Sequence, residues 1–352
     1  MTQVRTARVD HAPAAVVERL VALAGLAPSV HNTQPWLWEY VDQRLTLHAD
    51  HRRQLAAEDP SGRNLTISCG AALHHLEFAA SALGWETAVH HLPVPSDRGV
   101  LAEVVVGRTG PHPVDAEAIR LLRERCTDRR RFTAWPVPGD RLDTLCRTAA
   151  LWGAEAQAVT DEASRFRLEL LANQALTTME FDRQQRAEQD SWIDRADAAG
   201  IPHALLPHHP DPLQARSRFQ PGLLEDARLA LHGCDRVIAI GSAADDVEGW
   251  IVAGQALSAV WLEAARQGLS VVPMSQPIED ADARAEITRD VLGSAFVPHI
   301  LLRVGWQAMG RRELARTPRR PLQEVLNHRA LRGAKGPDGA GIPTVGEAQS
   351  GP

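Results

Sequence analysis

The chain has 352 residues, 44% of them hydrophobic and 23% charged, enough for about two ordinary domains or one large one. Its 25 glycines and 23 prolines exclude a collagen-like or globally disordered chain, and a net charge of −6 argues against a dedicated nucleic-acid binder. Lys335 is the only lysine, and it lies in a Gly/Pro-rich tail, so neither a P-loop lysine nor a Schiff-base lysine for pyridoxal phosphate is available.

In chain order, Val16, Val17, Leu20, Val21, Leu23 and Ala24 recur at helical spacing over residues 13–26, and Pro28 ends the pattern. Trp36 to Leu47 reads as two short strands about Asp42-Gln43. Leu65 to Leu83 reads as a helix that is apolar around much of its circumference, which predicts burial. Trp85–Leu92 and Leu101–Val106 read as strands, and a linker follows around Gly110-Pro111-His112-Pro113. Helices are expected near Ala116–Arg125 and Gly139–Ala150, then a strand at Glu155–Val159 and a polar helical stretch from Ala163 to Ala199. Residues 200–222, rich in Pro and His, read as a long loop of the length that often serves as a lid. Val237–Ile240, Leu269–Pro273 and Pro298–Val304 read as strands, Trp250–Gln267 as a helix, and residues 333–352 as a disordered tail.

Cys69, Cys126, Cys146 and Cys234 include no CxxC pair, so four free thiols in a reducing compartment are expected. The N-terminus has no apolar signal core and no run reaches transmembrane length, so the expectation is a cytoplasmic protein without a membrane partner.

Two segments repeat one another. Gly70–Gly84 (GAALHHLEFAASALG) and Gly254–Gly268 (GQALSAVWLEAARQG) align without gaps, identical at five of fifteen positions, and each leads into a strand and then a second strand ending in Val-Gly. Two such halves would bury their long helices against each other, like a dimer fused into one chain.

Four segments carry groups suited to ligand chemistry. Ala27-Pro-Ser-Val-His-Asn-Thr-Gln-Pro-Trp36 offers donors and acceptors on a backbone fixed by two prolines, and also suits an ordinary turn. Residues 120–131 hold six arginines against two acids, which fits an anion site or a solvated helix face. A second basic run extends from Arg311-Arg312 through Arg316 to Arg319-Arg320-Pro321. Gly268-Leu-Ser-Val-Val-Pro-Met-Ser-Gln-Pro277 is a helix end, a short strand and a Pro-bracketed turn.

Together and in this order, these segments resemble the FMN-dependent nitroreductase family, specifically its fused, Acg-type branch, over most of residues 13–326. The resemblance implies an α+β nitroreductase-like fold, with two related α/β halves fused as a pseudo-dimer around long central helices. Residues 1–110 would form a first half supplying the PSxxN segment. Residues 111–332 would form a second half carrying the arginine motifs and a lid at 190–220. By the same resemblance, one FMN per chain would be held by Pro28, Ser29, Asn32 and Gln34 from upstream. Arg125, Thr127, Arg129, Arg319 and Arg320 would hold it from downstream, with Pro273, Met274 and Ser275 at the flavin N5 edge. Trp192, His203 and His208 are lid candidates. This sequence departs from the family pattern at Ser275, where an acid is usual, at Cys126, where a base is common, and by one extra residue between Arg129 and Phe132.

The resulting expectation is an oxidoreductase passing hydride from NAD(P)H through FMN to a nitroaromatic, a quinone or another small acceptor, with no catalytic side chain and no metal required. A flavin-sequestering protein with a closed lid is the alternative. A histidine metal site is a weaker third reading, because adjacent histidines such as His74/His75, His90/His91 and His208/His209 point apart on a helix or strand. A fused pseudo-dimer is compatible with a monomer, and a homodimer is the other expected state.

Overall fold

The computed structural model describes residues 10–97, 99–108, 113–130, 132–206, 236–308 and 315–328. A two-residue strand β1 (Asp10–His11) precedes helix α1 (Ala14–Ala24), which buries Val17, Leu20, Val21, Leu23 and Ala24 on one face. The hairpin β2 (Trp36–Val41) and β3 (Arg44–Ala49) turns at Asp42 and Gln43, both at positive φ as the tight turn requires. Helix α2 (Arg63–Ala82) follows, then strands β4 (Glu86–His91) and β5 (Val100–Arg108). Helices α3 (Ala116–Glu124) and α4 (Gly139–Leu151) lead to strand β6 (Glu155–Val159).

The stretch expected to be helical to Ala199 breaks into α5 (Glu162–Phe181) and α6 (Arg183–Asp190), because the Asp182 carboxylate caps a new N-terminus by accepting from the Gln184 and Gln185 N–H groups. From residue 191 to 206 the chain is irregular, with a 3-10 turn at His203–Leu205. Strand β7 (Arg236–Ser242), helix α7 (Val247–Arg266), β8 (Ser270–Met274) and β9 (Val297–Gly305) complete the second half. Short helical turns between β8 and β9, and strands β1 and β10 (Leu326–His328), are too brief for a periodic signal and were not expected.

The halves follow the same path. The order β2-β3-β5-β4 in the first sheet matches β6-β7-β9-β8 in the second, with all these neighbours antiparallel. Where the first half turns on two residues between β2 and β3, the second inserts residues 160–235 between β6 and β7. Strand β10, from the chain's end, pairs in parallel with β2 of the first sheet. Helix α3 buries Ala118, Ile119, Leu121 and Leu122 in the first core. The boundary near residue 110 is therefore crossed by α3 and by the C-terminal arm.

The two repeats meet directly. A Cβ on Gly70 would lie 2.2 Å from the Ile251 carbonyl oxygen, and one on Gly254 would lie 2.1 Å from that of Ile67. Helices α2 and α7 thus touch backbone to backbone at equivalent positions. Equivalent Ile67 and Ile251 cross over: Ile67 joins the second core and Ile251 the first. Position 74/258 of the repeat also meets itself, since the Ser258 hydroxyl lies 2.7 Å from Nδ1 of both His74 and His75. Burial pushes His74 down to about 3 and His75 well below its usual range, so both rings stay neutral. One hydroxyl proton serves only one of them, so one Nδ1 accepts from Ser258 and the other donates to it. These histidines are seam residues. No described helix is long and apolar enough to cross a membrane.

Gly70→Ala and Gly254→Ala should each destabilise the protein despite the roughly 1 kcal/mol by which alanine favours a helix. The added carbon meets backbone that cannot rotate away, so a net loss of about 1–3 kcal/mol is expected in urea unfolding. Stability equal to or above that of the wild type would show that the helices separate without cost.

Candidate functional site

A cavity of about 400 Å³ opens where the C-terminal ends of α1 and α3, the irregular strap after α6 and the C-terminal arm converge. Its volume lies in the range of small-molecule sites. Its wall includes Leu26, Pro28, Ser29 and Asn32 after α1, and Arg123, Arg125, Thr127 and Arg129 after α3. Ile201 and Leu205 come from the strap, and Arg316 and Arg319 from the arm. Seven of the residues expected to hold a cofactor therefore meet at one place: Pro28, Ser29, Asn32, Arg125, Thr127, Arg129 and Arg319.

The upstream wall is a strained bend. His31, Asn32 and Gln34 have φ values of 46°, 56° and 51°, conformations that each cost about 1–3 kcal/mol and persist only where the surroundings enforce them. The surroundings do. The Glu58 carboxylate accepts from His31 Nε2 at 2.8 and 2.9 Å and from Gln189 Nε2 at 3.0 Å. Ser29 Oγ accepts from the Gln34 N–H at 3.0 Å. Asn32 Nδ2 donates to the carbonyls of Gly200 (2.9 Å) and Pro318 (3.0 Å), while its Oδ1 accepts from Arg319 at 2.9 Å. Asn32 thereby clasps strap and arm together, a duty its sequence position did not reveal.

Gln34 and Arg320 are placed differently from the expectation. Gln34 donates to Ala198 O and accepts from the Arg320 N–H, and the Arg320 side chain donates to Gln34 O and Glu324 O. Both brace the bend from behind, and neither lines the cavity.

The arginine run sorts by partner. Arg120 pairs with Glu117 and Glu124 on the exposed face of α3, and Arg130 pairs with Asp128 at 2.6 Å. Arg123, Arg125 and Arg129 face the cavity, whose described wall holds no acid. Arg125 is buried, at 6% exposure, and donates from Nη2 to Leu26 O at 3.0 Å. Arg319 Nη2 donates to the same carbonyl at 3.3 Å. Arg125 Nε and Nη1 and Arg319 Nε are buried with no hydrogen-bond partner among the described residues. Burial, then repulsion from Arg319 and Arg316, lowers Arg125 to about 9, and burial and Arg316 lower Arg319 to about 10. Two cations thus converge on one carbonyl, and no carboxylate stands among the described residues of the wall. Burial raises the neighbouring Cys126 thiol, which keeps it protonated.

Pro273, Met274 and Ser275 lie outside this wall. They end β8 and begin a short helix, where the Ser275 carbonyl accepts from the Ile278 and Glu279 N–H groups. That turn is tied to α2 through Arg63 Nη2 to Ile278 O at 2.8 Å and Asn64 Nδ2 to Glu279 at 2.8 Å.

Of the lid candidates, Trp192 packs beside Leu55, Ala199 and Val30 with Arg195 over its ring at 4.3 Å. His203 donates its backbone N–H to Asp194 at 2.7 Å. Neither lines the cavity. His208, with the rest of 207–220, lies outside the described residues. The strap is anchored upstream by Glu188, whose carboxylate accepts from the Ala57 and Glu58 N–H groups at 3.1 and 3.0 Å. Glu58, Glu188 and Gln189 had no motif to betray them.

Asn32→Ala removes three side-chain bonds, one buried and two part-buried. Amide exchange at Gly200, Ile201 and Arg319 should quicken about 10- to 100-fold. Unchanged exchange at Gly200 would refute the clasp.

No family model matches the chain. It is 35% identical over 318 residues to a Mycobacterium tuberculosis protein named "Putative NAD(P)H nitroreductase Rv3131", covering 89% of this chain and 91% of that one. It is 32% identical over 325 residues to another from the same organism, named "Putative NAD(P)H nitroreductase acg", covering 90% and 96%. Among solved structures, a nitroreductase with bound FMN from Bacteroides fragilis aligns at 14% identity and a TM-score of 0.37, over 56% of this chain and 92% of that chain. One from Desulfitobacterium hafniense, also with bound FMN, aligns at 12% and 0.38, over 59% and 96%.

Proposed function

Since the chain belongs to the family of the mycobacterial nitroreductase-named proteins Rv3131 and Acg, we propose that it is an FMN-dependent oxidoreductase oxidising NAD(P)H. Its acceptor is a nitroaromatic, a quinone or another small molecule. The observation that carries this reading is the pair Arg125, buried, and Arg319, half-buried, converging on Leu26 O in a cavity whose described wall holds no acid. A phosphate monoester in this cavity cancels the repulsion between the two guanidinium groups.

FMN, when bound, supplies the hydride chemistry. The chain's own residues bind and orient it. Arg125 and Arg319 take the phosphate, with Arg129 and Thr127 beside them, and Pro28, Ser29 and Asn32 shape the opposite wall. Pro273, Met274 and Ser275 are assigned to the reacting edge on the family resemblance alone. In this reading the chain binds one FMN.

A second reading is favoured by the strap. Ile201 and Leu205 close one side of the cavity, and Gly200 is bonded to Asn32 through both its N–H and its carbonyl. A strap that stays closed makes the chain a flavin store. Anaerobic mixing of the FMN-loaded protein with NADPH separates the two: rapid bleaching supports the reductase, and persistent colour supports storage.

The purified protein should take up one FMN with micromolar affinity or better, about −8 kcal/mol. Arg125→Met and Arg319→Ala should each weaken it about 10- to 100-fold, the worth of a charged hydrogen bond. Lys335→Ala should change nothing. Affinity should fall as pH rises past about 9, because Arg125 then loses the proton that makes it a cation. Fluorescence titration of FMN checks all of these, and a protein that stays colourless rejects the reading.

A further inference from the structure

We propose that Trp261 is a positioning residue for the anion site: its indole face is the platform that sets the Arg125 guanidinium against the cavity. This rests on the reading of that cavity as the FMN phosphate site. The Arg125 guanidinium carbon sits 4.5 Å from the Trp261 ring centroid, within cation–π range. Trp261 is 2% exposed, so the contact is shielded from water, where such pairs are strongest.

Among the described residues, the charged or titratable group beside Arg125 that favours its cation is Cys126, and its thiol is held in the neutral form. Arg319 and Arg316 on the arm repel it, His75 on α2 is held neutral, and Cys126 next to it is a protonated thiol. Its one neutral acceptor, Leu26 O, is shared with Arg319. The negative face of the indole is thus the attractive surface that balances two neighbouring cations.

The repeat supplies an independent argument. Packing between α2 and α7 is alike at equivalent positions, as Gly70/Gly254 and Ile67/Ile251 show. Trp261 is equivalent to Glu77, which accepts from Gln255 at 2.7 Å. A tryptophan is therefore not demanded by the helix crossing. It stands in the half whose face meets Arg125.

The test compares Trp261→Phe, which keeps a ring, with Trp261→Leu, which keeps apolar bulk without one, using FMN as the probe. Trp261→Phe should bind FMN within about 3-fold of wild type, and Trp261→Leu about 10- to 30-fold more weakly. The alkaline loss of affinity should also begin roughly one pH unit lower in Trp261→Leu, a shift that packing damage alone does not produce. Equal losses in the two variants, or wild-type affinity and pH profile in Trp261→Leu, overturn the assignment.

If Trp261→Leu does not fold, the chain is produced with fluorinated tryptophan, which thins the negative ring face at constant shape. FMN binding should then weaken several-fold in the wild-type sequence and not in Arg125→Met, and equal affinity overturns the proposal. Wild-type protein that takes up no FMN rejects the cofactor reading, and this one with it. Wild-type protein that binds FMN while Trp261→Leu binds it equally well rejects the role of Trp261 alone.

Discussion

Two glycines facing each other across the seam set the geometry from which the rest follows. Because neither Gly70 nor Gly254 carries a side chain, α2 and α7 close to backbone contact, and each helix sends an isoleucine into the other half's core. That closeness brings Ser258 between His74 and His75, and it places Trp261 of α7 behind a cavity built largely from segments flanking α1 and α3. The pieces of the site come from distant parts of the sequence, and the helix crossing keeps them in register.

The site itself is bought with local instability. Three residues at positive φ, the buried Arg125 guanidinium and a carboxylate deep in the bend all cost free energy. The surrounding bonds offset this by over-determining the bend. His31, Asn32 and Gln34 are each held through the side chain, and the strap and arm that hold them are held in return. Such concentration of strain and unpaired donors is expected where a scaffold serves a ligand and not itself.

The sequence and the structure agree where local pattern decides and part where tertiary contact does. Alternation and helical spacing found β6 at its observed bounds, and α1, α2, α4 and α7 to within a few residues. The repeat was visible because its glycines are needed at equivalent places. The break at Asp182 is not legible in the sequence, since a capping carboxylate inside a polar helix looks like any other acid. Strand β10 is not legible either, since three residues carry no period. The family resemblance singled out Arg125 and Arg319, and packing shows how they differ from Arg120 and Arg130, which pair with nearby acids. Gln34 and Arg320 belong to the right neighbourhood and face away from the opening, a distinction that composition cannot draw.

The unequal loops between equivalent strands have a kinetic consequence. β2 and β3 join through a two-residue turn, whereas β6 and β7 must find each other across residues 160–235. That separation is about five doublings of loop length, adding roughly 3 kcal/mol of closure entropy to the second pairing. Contacts so far apart along the chain form slowly. The upstream sheet can therefore zip early and serve as a template, against which the downstream sheet assembles once α7 has docked on α2.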